Sequence, residues 1–463
     1  MFPSKTYIER RDQIKKTLKS GLILFPGNRE SPMNYADNWY PFMQDSSFLY
    51  YTGINGIPNL YFLIDIDNDH EILFGNDATP EEMVWTGTAE PMADLAAKSG
   101  ITSVKPVKEL EAYVKQQRQK GQKLHYLPPY RADLKVQLAE LLGLVPREVA
   151  SSSSVELIKA IVAQREIKSD EELVEIEKAV NTTVAMHTHA IKNTRPGRTE
   201  LEIAGELQSI AIGGGGNIAF PIILTKNGQY LHNHATQATL ADGDLVLCDC
   251  GAENAMGYTG DMTRTFPAGE RFTPLQRNVY DIVLEAHNSA VAGLRPGVQY
   301  KDLHLLAAKK LVEGLTDMGM MKGNADDAVA AGAHTLFFQC GLGHMMGLDI
   351  HDMENLGEQY VGYTPELKKS TEFGLKSLRL GKALKEGFVV TVEPGLYFNP
   401  FLINAWRAEG NYRDFVNYGA VEKMKSFGGI RVEEDFAITA SGSRLLGKPL
   451  AKTVDAIEEL KNS

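Results

Sequence analysis

The chain has 463 residues, of which 43% are hydrophobic and 23% are charged, and its formal net charge is −11. This length predicts two domains, and the composition is typical of a soluble globular enzyme. The acidic balance without a basic block argues against a nucleic-acid partner, and no apolar run is long enough to span a membrane. Only three cysteines and no apolar leader segment at the N-terminus predict a cytoplasmic enzyme.

The N-terminal part of the chain carries short apolar runs typical of strands in a small α/β domain. Leu22–Phe25 and Leu60–Ile66 are two such runs. Glu71–Phe74 follows a turn signal, so it can return beside the second run as a hairpin. A short run of serines marks the expected boundary between an N-terminal domain, residues 1–153, and a C-terminal domain, residues 154–463.

Two long helices with clear first turns are expected in the C-terminal domain. Ser169 and Glu172 have the spacing of a capping box, and Thr273 with Pro274 has the pattern of an N-cap followed by proline at the first helical position. The apolar residues of the first helix recur on one face: Leu173, Ile176, Val180 and Val184.

An internal repeat is indicated by the tripeptide Arg-Pro-Gly, which ends each of these helices at 195–197 and again at 295–297. A new helical pattern follows each tripeptide. The repeat predicts two related halves in the C-terminal domain, each giving two helices and then strands. A chance match is the alternative for so short a repeat.

The segment from Leu245 to Asp261 is expected to form a hairpin that brings two aspartates together. Asp249 ends an apolar run, and Asp261 lies 12 residues further along. Two like charges held together need a cation or a shared proton, although two ordinary turn aspartates are the alternative. Cys248 and Cys250 lie on the same expected strand, where a two-cysteine zinc site is not expected.

Three later motifs add comparable residues. His344 lies in a glycine-rich loop, where backbones can approach closely. Glu393 ends a β-branched run just before Pro-Gly, and Glu433 lies on a further strand. Carboxylates at such positions are seldom buried without a partner. Four carboxylates and one imidazole favour Mn²⁺, with Zn²⁺ or Co²⁺ as alternatives, and so many anionic groups favour two cations.

Strand alternation separates the charged residues of the last motif. Arg431 and Glu433 share one face of the expected strand. Glu434 and Asp435 are expected to be solvated.

Four motifs in this order resemble the pita-bread metallopeptidases, specifically prolidase and aminopeptidase P: DCGAE with GYTGDMTRTFP, GLGHMMGLDIHD, TVEPGLYF and GGIRVEED. The early segments FMQDSSFLYYTG and MVWTGTAEP are similar to that family's N-terminal domain. The resemblance implies an α/β (α+β) chain, in which a small N-terminal α/β domain precedes a pita-bread domain with an internal pseudo-two-fold repeat. It also implies a dinuclear, metal-dependent exopeptidase that hydrolyses the Xaa-Pro bond of dipeptides or longer peptides, as a homodimer or a larger homo-oligomer.

The resemblance implies a role for each residue in the motifs. The five metal ligands would be Asp249, Asp261, His344, Glu393 and Glu433. Glu393 would also carry the proton from the attacking water to the leaving proline nitrogen. The other two catalytic residues would be His351 and His232. His351 would contact the scissile carbonyl oxygen, and His232 would bind substrate, with its neighbour His234 as the second candidate for that role. Arg431 would support the site.

Two residues bear on the preferred substrate. Cys340 stands where relatives usually carry a histidine of the substrate pocket, so turnover or specificity is expected to differ. Arg379 stands where prolidases bind the C-terminal carboxylate of a dipeptide, and a solvent-facing arginine is the alternative. A dipeptide-capable enzyme is favoured, with an aminopeptidase P as the close alternative. Trp85 is expected to contribute to substrate binding by reaching a neighbouring subunit's site.

Three other functions are compatible with the same fold. A creatinase-like hydrolase would work without metal, which the five intact ligands argue against. A methionine aminopeptidase has the same ligands, but the extra N-terminal domain argues against it. A non-catalytic binding protein would have lost ligands, and Cys340 is the only residue that favours it.

Overall fold

The computed structural model describes residues 1–463 and divides into two compact units. The first unit comprises Met1–Arg165 with Met353–Tyr360, and the second comprises Glu166–Asp352 with Val361–Ser463. The boundary expected at residue 153 stays a prediction about domains. None of the helices is long and apolar enough to cross a membrane.

The elements of the first unit alternate between helices and short strands. They are α1 (Ser4–Leu18), β1 (Leu22–Pro26), α2 (Ser46–Thr52), β2 (Tyr61–Asp65), β3 (His70–Phe74), α3 (Pro80–Thr86), α4 (Met92–Lys98), β4 (Ser103–Lys105), α5 (Leu110–Gln119), β5 (Leu124–His125), α6 (Ala132–Leu142), α7 (Pro146–Val149) and α8 (Val155–Arg165).

A five-stranded mixed sheet forms the centre of this unit, with strand order β4-β3-β2-β1-β5. The expected hairpin is present, since β2 and β3 pair antiparallel with Tyr61 opposite Phe74. Outer strands β4 and β5 pair in parallel with β3 and β1. One face of the sheet packs on α5 and α6 through buried apolar side chains such as Leu63 and Val114. The predicted small α/β domain is therefore confirmed.

The second unit begins with two long helices and carries most of the remaining strands. Its elements, with α14 crossing the division between the units, are α9 (Asp170–Asn193), α10 (Glu200–Gly213), β6 (Asn217–Ile218), β7 (Ile223–Thr225), β8 (Leu245–Cys250), β9 (Ala252–Glu253), β10 (Met262–Pro267), α11 (Pro274–Ala292), α12 (Tyr300–Asp317), α13 (Ala325–Ala330), α14 (Glu358–Val361), β11 (Val389–Val392), β12 (Gly395–Tyr397), α15 (Pro400–Glu409), α16 (Tyr418–Val421), β13 (Gly429–Arg431), β14 (Glu434–Ile438), β15 (Ser443–Leu445) and α17 (Val454–Lys461).

The capping signals read from the sequence start both long helices. Ser169 and Glu172 form a complete capping box at α9. Thr273 does the same with Gln276 at α11, where proline occupies the first helical position. These caps satisfy amides that have no partner inside the helix, so they fix where each helix begins.

The two Arg-Pro-Gly tripeptides occupy equivalent places. Gly197 and Gly297 both adopt a left-handed backbone, with φ of 91° and 86°, which glycine tolerates without strain. Their amides donate to the carbonyls of Leu240 and Leu384, at 2.8 and 2.9 Å. Each leucine precedes a strand, β8 in the first half and β11 in the second. The expected internal repeat is therefore confirmed, with Asp249 on β8 in the first half and Glu393 directly after β11 in the second.

Candidate metal centre and active site

A cavity of about 330 Å³ in the second unit gathers the residues that the motifs single out. Ten of the eleven predicted site residues line it: His232, Asp249, Asp261, Cys340, His344, His351, Arg379, Glu393, Arg431 and Glu433. The eleventh, Trp85, belongs to the first unit, where it lies on α3 with 83% of its surface exposed. Its expected role toward a neighbouring subunit stays a prediction.

Strand pairing aligns three of the acidic residues. In the β8–β10 hairpin Asp249 is opposite Thr263, and Thr263 is in turn bridged to Glu433. Side chains two residues apart on a strand share a face, so Asp261 projects from the same side as Thr263. The hairpin predicted from the sequence thus brings Asp249 and Asp261 onto one face.

The fourth carboxylate comes from the second half of the repeat. β11 pairs with β14, and β12 pairs with β13, in one continuous antiparallel register. Glu393 lies between β11 and β12, opposite Glu433 in that register. The two halves of the repeat therefore each place a carboxylate at the same cavity, Asp249 from the first and Glu393 from the second.

Close backbone packing holds His344 beside these carboxylates. Its amide donates to the Thr391 hydroxyl at 3.1 Å, and its carbonyl accepts from the Thr391 amide at 3.0 Å. A side chain at Gly343 would come within 2.4 Å of both the Thr391 carbonyl and the Tyr300 hydroxyl. Glycine is therefore required at residue 343 to bring this loop against β11.

The side chain of His344 faces two of the carboxylates. Its Nδ1 lies 3.0 Å from the Met345 carbonyl, which leaves Nε2 to face the acids, 3.5 Å from Asp261 Oδ2 and 3.5 Å from Glu393 Oε1. Asp261 Oδ1 is buried with no hydrogen-bond partner. Ligand atoms of Asp261, His344 and Glu433 all lie within 4.8 Å of one another. A partnerless buried oxygen beside an imidazole nitrogen fits a cation.

Arg431 is the guanidinium bound to this group of carboxylates. Its Nε donates to the Thr263 hydroxyl at 2.9 Å, its Nη1 to the Tyr397 hydroxyl at 3.0 Å, and its Nη2 to Asp249. The Thr263 hydroxyl in turn donates to Glu433 at 2.6 Å. Arg431 therefore contacts Asp249 directly and Glu433 through the Thr263 hydroxyl, and its supporting role stays a prediction.

The buried carboxylates of the cavity outnumber the positively charged side chains beside them. Burial raises the pKa of Asp249 to about 7, with Arg431 opposing the rise and Asp261 adding to it. Burial also lifts the pKa of Glu433 well above its usual range, and the charges of Asp261 and Glu393 lift it further. Burial works against a charged His344, yet Asp261 and Glu393 outweigh it and raise its pKa. Divalent cations would let these carboxylates ionise.

The remaining polar residues surround the acids. The His351 ring lies 4.4 Å from the His344 ring between centroids, inclined at 70°. Burial, followed by the charges of Arg431 and Arg379, lowers the pKa of His232, so its imidazole favours the neutral form. Cys340 Sγ lies 3.7 Å from the Tyr397 hydroxyl, and burial raises its pKa to about 12. Cys340 is therefore a neutral thiol.

Two expectations about the last motif were wrong. Glu434 and Asp435, expected to be solvated, are 2% and 0% exposed. Glu434 accepts from Arg264 Nη2 at 2.6 Å, and Asp435 accepts from the Asp261 amide at 3.0 Å. The strand is covered on both faces, so alternation did not separate buried from exposed residues.

Residues that were not predicted from the sequence complete the cavity. Tyr397 links Arg431 to Cys340 through its hydroxyl, although it lies within a motif that was singled out. The apolar wall is formed by Phe220, Pro221, Ile223, Leu231 and Ile350. No charge or spacing pattern in the sequence marks these apolar residues.

A repeated α/β unit with carboxylates and an imidazole converging on one cavity defines a metal-dependent hydrolase. Residues 174–440 match the model of metallopeptidase family M24, and residues 7–125 match that of the aminopeptidase P N-terminal domain. The chain belongs to metallopeptidase family M24.

Named relatives support this assignment over nearly the full chain. The chain is 30% identical to the Xaa-Pro aminopeptidase of Escherichia coli K12, covering 92% of this chain and 90% of that protein. It is also 30% identical to the Xaa-Pro dipeptidase of Homo sapiens, covering 94% and 88%. Zinc-substituted E. coli aminopeptidase P in complex with product superposes with a TM-score of 0.80 at 28% identity, covering 100% of this chain and 98% of that one. The predicted fold, family and metallopeptidase class are confirmed, and divalent metal use with them.

Proposed function

We propose that this metallopeptidase hydrolyses the Xaa-Pro bond with two divalent cations, for which Mn²⁺ is the first candidate. The observation that carries the proposal is the group of buried carboxylates in the cavity, with Asp261 Oδ1 lacking any partner and Glu433 disfavoured as an anion. The five proposed ligands are Asp249, Asp261, His344, Glu393 and Glu433. Oxygen ligands with one imidazole favour Mn²⁺ over softer ions, with Zn²⁺ and Co²⁺ as alternatives.

The chain's own residues would then carry the proton steps. When bound, the cations supply a Lewis-acidic centre that activates water and polarises the scissile carbonyl. Glu393 lies at the cavity, and burial raises its pKa, so it suits a group that accepts a proton from water and passes it to the departing nitrogen. His351 lies beside His344 and would donate to the carbonyl oxygen as charge develops there.

The apolar wall would select for proline. The nitrogen of an Xaa-Pro bond carries no hydrogen, so the pocket does not need an acceptor for it. Phe220, Pro221 and Ile223 offer apolar surface within the cavity against which a pyrrolidine ring can pack. His232 would lie at the substrate side of the same cavity.

Arg379 favours dipeptides within this function. It lines the cavity, where its guanidinium would bind the C-terminal carboxylate of an Xaa-Pro dipeptide bidentately. Cys340, as a neutral thiol, would contribute a weaker donor than the histidine of the family's pocket. An aminopeptidase acting on longer peptides is the alternative.

We also propose a cellular location and an oligomeric state for the enzyme. All three cysteines are free, which suits the cytoplasm. Exposed Trp85 and its neighbour Val84, 83% and 80% exposed on α3, suit a contact in a homodimer or larger homo-oligomer. We propose no nucleic-acid or membrane partner.

The test compares substrates and metals side by side. Chelator-treated enzyme would be assayed on Gly-Pro, Ala-Pro, Ala-Pro-Ala and the control Ala-Ala, with Mn²⁺, Zn²⁺ or Co²⁺ restored one at a time. We expect metal-dependent cleavage of the proline substrates only, with about two equivalents of metal bound at saturation.

Substitution of Glu433 tests whether the proposed ligands bind the metal. Glu433→Gln keeps the size of the side chain but removes its charge, so we expect reduced metal stoichiometry and a loss of activity of about 10³-fold or more. The proposal would be wrong if the parent bound no metal, or if activity were unchanged by chelation. Cleavage of Ala-Ala at the rate of Ala-Pro would exclude proline selectivity.

A further inference from the structure

The strand that carries Asp249 presents two thiols on its other face. Cys248 and Cys250 flank Asp249 on β8, and adjacent side chains on a strand project to opposite faces. Both cysteines are fully buried, and their sulfur atoms lie 3.9 Å apart. Two residues along a strand span about 6.6 Å between Cα atoms, close to the upper limit for a disulfide. The pair is therefore not arranged as a disulfide.

A histidine from the neighbouring helix completes the group. His187 lies on α9 and is fully buried, with its Nε2 3.4 Å from Cys250 Sγ and 2.8 Å from the Met262 carbonyl. Its Nδ1 is buried without a hydrogen-bond partner. One donor atom from each of His187, Cys248 and Cys250 lies within 4.8 Å of the other two. Three convergent soft donors are thus enclosed in the core.

We propose that His187, Cys248 and Cys250 form a second metal site, separate from the carboxylate cavity, that binds a soft cation of the Cu⁺ class. Thiolate and imidazole donors suit Cu⁺ and Zn²⁺, whereas carboxylates suit harder ions. Structural zinc sites close with four protein ligands, and here only three donor side chains converge. A three-coordinate Cu⁺ therefore fits the donor set better than Zn²⁺.

The proton balance of binding follows from the contacts. Cu⁺ displaces the two thiol protons, which leave to solvent. His187 Nε2 exchanges its hydrogen bond with the Met262 carbonyl for the bond to the cation, and its ring proton moves to Nδ1. No electron is transferred, and the cation stays Cu⁺.

The site would join two elements behind the catalytic strand. His187 comes from α9, and the cysteines come from β8, so a bound cation links the helix to the strand directly behind Asp249. Binding to the folded state alone raises the free energy of unfolding, by an amount that grows with the logarithm of the free Cu⁺ concentration relative to Kd. The expected signature is a higher Tm with Cu⁺, independent of the metal in the carboxylate cavity.

The test uses the full chain with Cu⁺ kept reduced without oxygen. Cu⁺ would be supplied both to purified protein and in the growth medium, and its affinity measured against a coloured Cu⁺ chelator. We expect one tightly bound Cu⁺ per chain, with sulfur and nitrogen neighbours in X-ray absorption and a raised Tm. Cys250→Ala should weaken the affinity by roughly 100-fold or more, exceeding the effect of changing an outer partner of a metal site.

The third cysteine gives the matched control. Cys340→Ala removes the thiol of the carboxylate cavity and should leave Cu⁺ affinity and the Tm shift unchanged. His187→Gln tests the site with both thiols intact, should a cysteine variant not fold. The proposal is overturned if Cys340→Ala abolishes binding, if His187→Gln and Cys250→Ala bind like the parent, or if no Cu⁺ is retained by either route, in which case the thiols are simply packed side chains.

Discussion

Arg379 and Arg431 line the same cavity but have different surroundings. All three guanidinium nitrogens of Arg431 donate hydrogen bonds, to Thr263, Tyr397 and Asp249. This side chain therefore orients the carboxylates. Arg379 approaches the cavity from the segment before β11. The two arginines therefore suit different tasks, support of the ligands for one and recognition of the substrate for the other.

Arg379→Ala should separate dipeptides from longer peptides. If the guanidinium binds the dipeptide carboxylate, its loss removes about 1.5–3 kcal/mol of charged hydrogen bonding, or roughly 10- to 150-fold in kcat/KM on Ala-Pro. Cleavage of Ala-Pro-Ala should change little, because its carboxylate lies one residue further away. Steady-state kinetics on both substrates decides the question, with Arg379→Lys as a control that keeps the charge. Equal losses on both substrates would contradict this role.

At the level of single residues, the sequence indicated the polar groups and missed their environment. Asp249, His344 and Glu393 were recognisable because a charge or imidazole at a strand end or glycine-rich turn is unusual. Asp435 was misjudged, because its burial depends on a strand being covered on both faces, which alternation within one strand does not reveal. Tyr397 was not singled out, since a tyrosine in an apolar strand is ordinarily a core residue.

Lys168 and Asp352 join the segment before α9 to the end of the loop that carries His344 and His351. Their charged atoms lie 2.8 Å apart, and both side chains are nearly fully buried. The Asp352 amide donates to the Met345 carbonyl at 2.9 Å, the same oxygen that His344 Nδ1 contacts. This ion pair therefore fixes the loop that orients His344 and, next to Asp352, His351.

Lys168→Met should destabilise the protein by about 3–5 kcal/mol, because it leaves a buried carboxylate without its ammonium partner. Turnover should fall as well, since the loop that carries His344, the proposed metal ligand, loses its anchor. Lys309→Met is the matched control: Lys309 pairs with Asp326 at 2.8 Å at the surface, where 34% and 67% of the two side chains are exposed, so its loss should cost far less than the loss of Lys168. Urea unfolding of both variants gives the comparison, and equal destabilisation would contradict the argument.

Elements with local signals were predictable, and long-range pairing was not. Ser169 and Thr273 predicted where α9 and α11 begin, because a capping box is a local contact between residues three apart in sequence. The position of Glu393 opposite Glu433 depends on strands 40 residues apart in sequence. No local pattern specifies that register, so only the resemblance to a family placed the two residues together.

At the scale of the whole molecule, the repeat explains why the site lies where it does. Each half supplies two helices and then a strand, and a carboxylate on or directly after each strand, Asp249 and Glu393, lines the same cavity. The second half differs from the first by the His344 loop and by Arg379, which precede its strand. The proposed ligands are thus shared between the halves, whereas the residues proposed to recognise substrate come mainly from the second half and from the segment before β8.

The core of the second unit also holds two neutral histidines that should make folding sensitive to acid. His304 and His334 lie with ring centroids 6.4 Å apart, and none of their ring nitrogens has a hydrogen-bond partner. Burial, and for His304 also the neighbouring His334, lowers their pKa values to about 3 and about 4, from 6.5 in the unfolded chain. Well above pH 6.5 both rings are neutral in both states, and this contribution to stability is fully present.

Below pH 6.5 the unfolded chain binds protons that the folded chain rejects, so stability should fall as the pH drops toward 4. Two protons correspond to a slope of up to about 2.7 kcal/mol per pH unit. His304→Phe, whose ring can stack on Phe338 as the imidazole does at 5.0 Å, should reduce that slope by up to about 1.4 kcal/mol per unit. Urea unfolding between pH 7 and 4.5, with chelator present so that metal loss does not contribute, measures the difference. His70→Asn, on an exposed residue, is the control, and a slope unchanged in His304→Phe would refute the assignment.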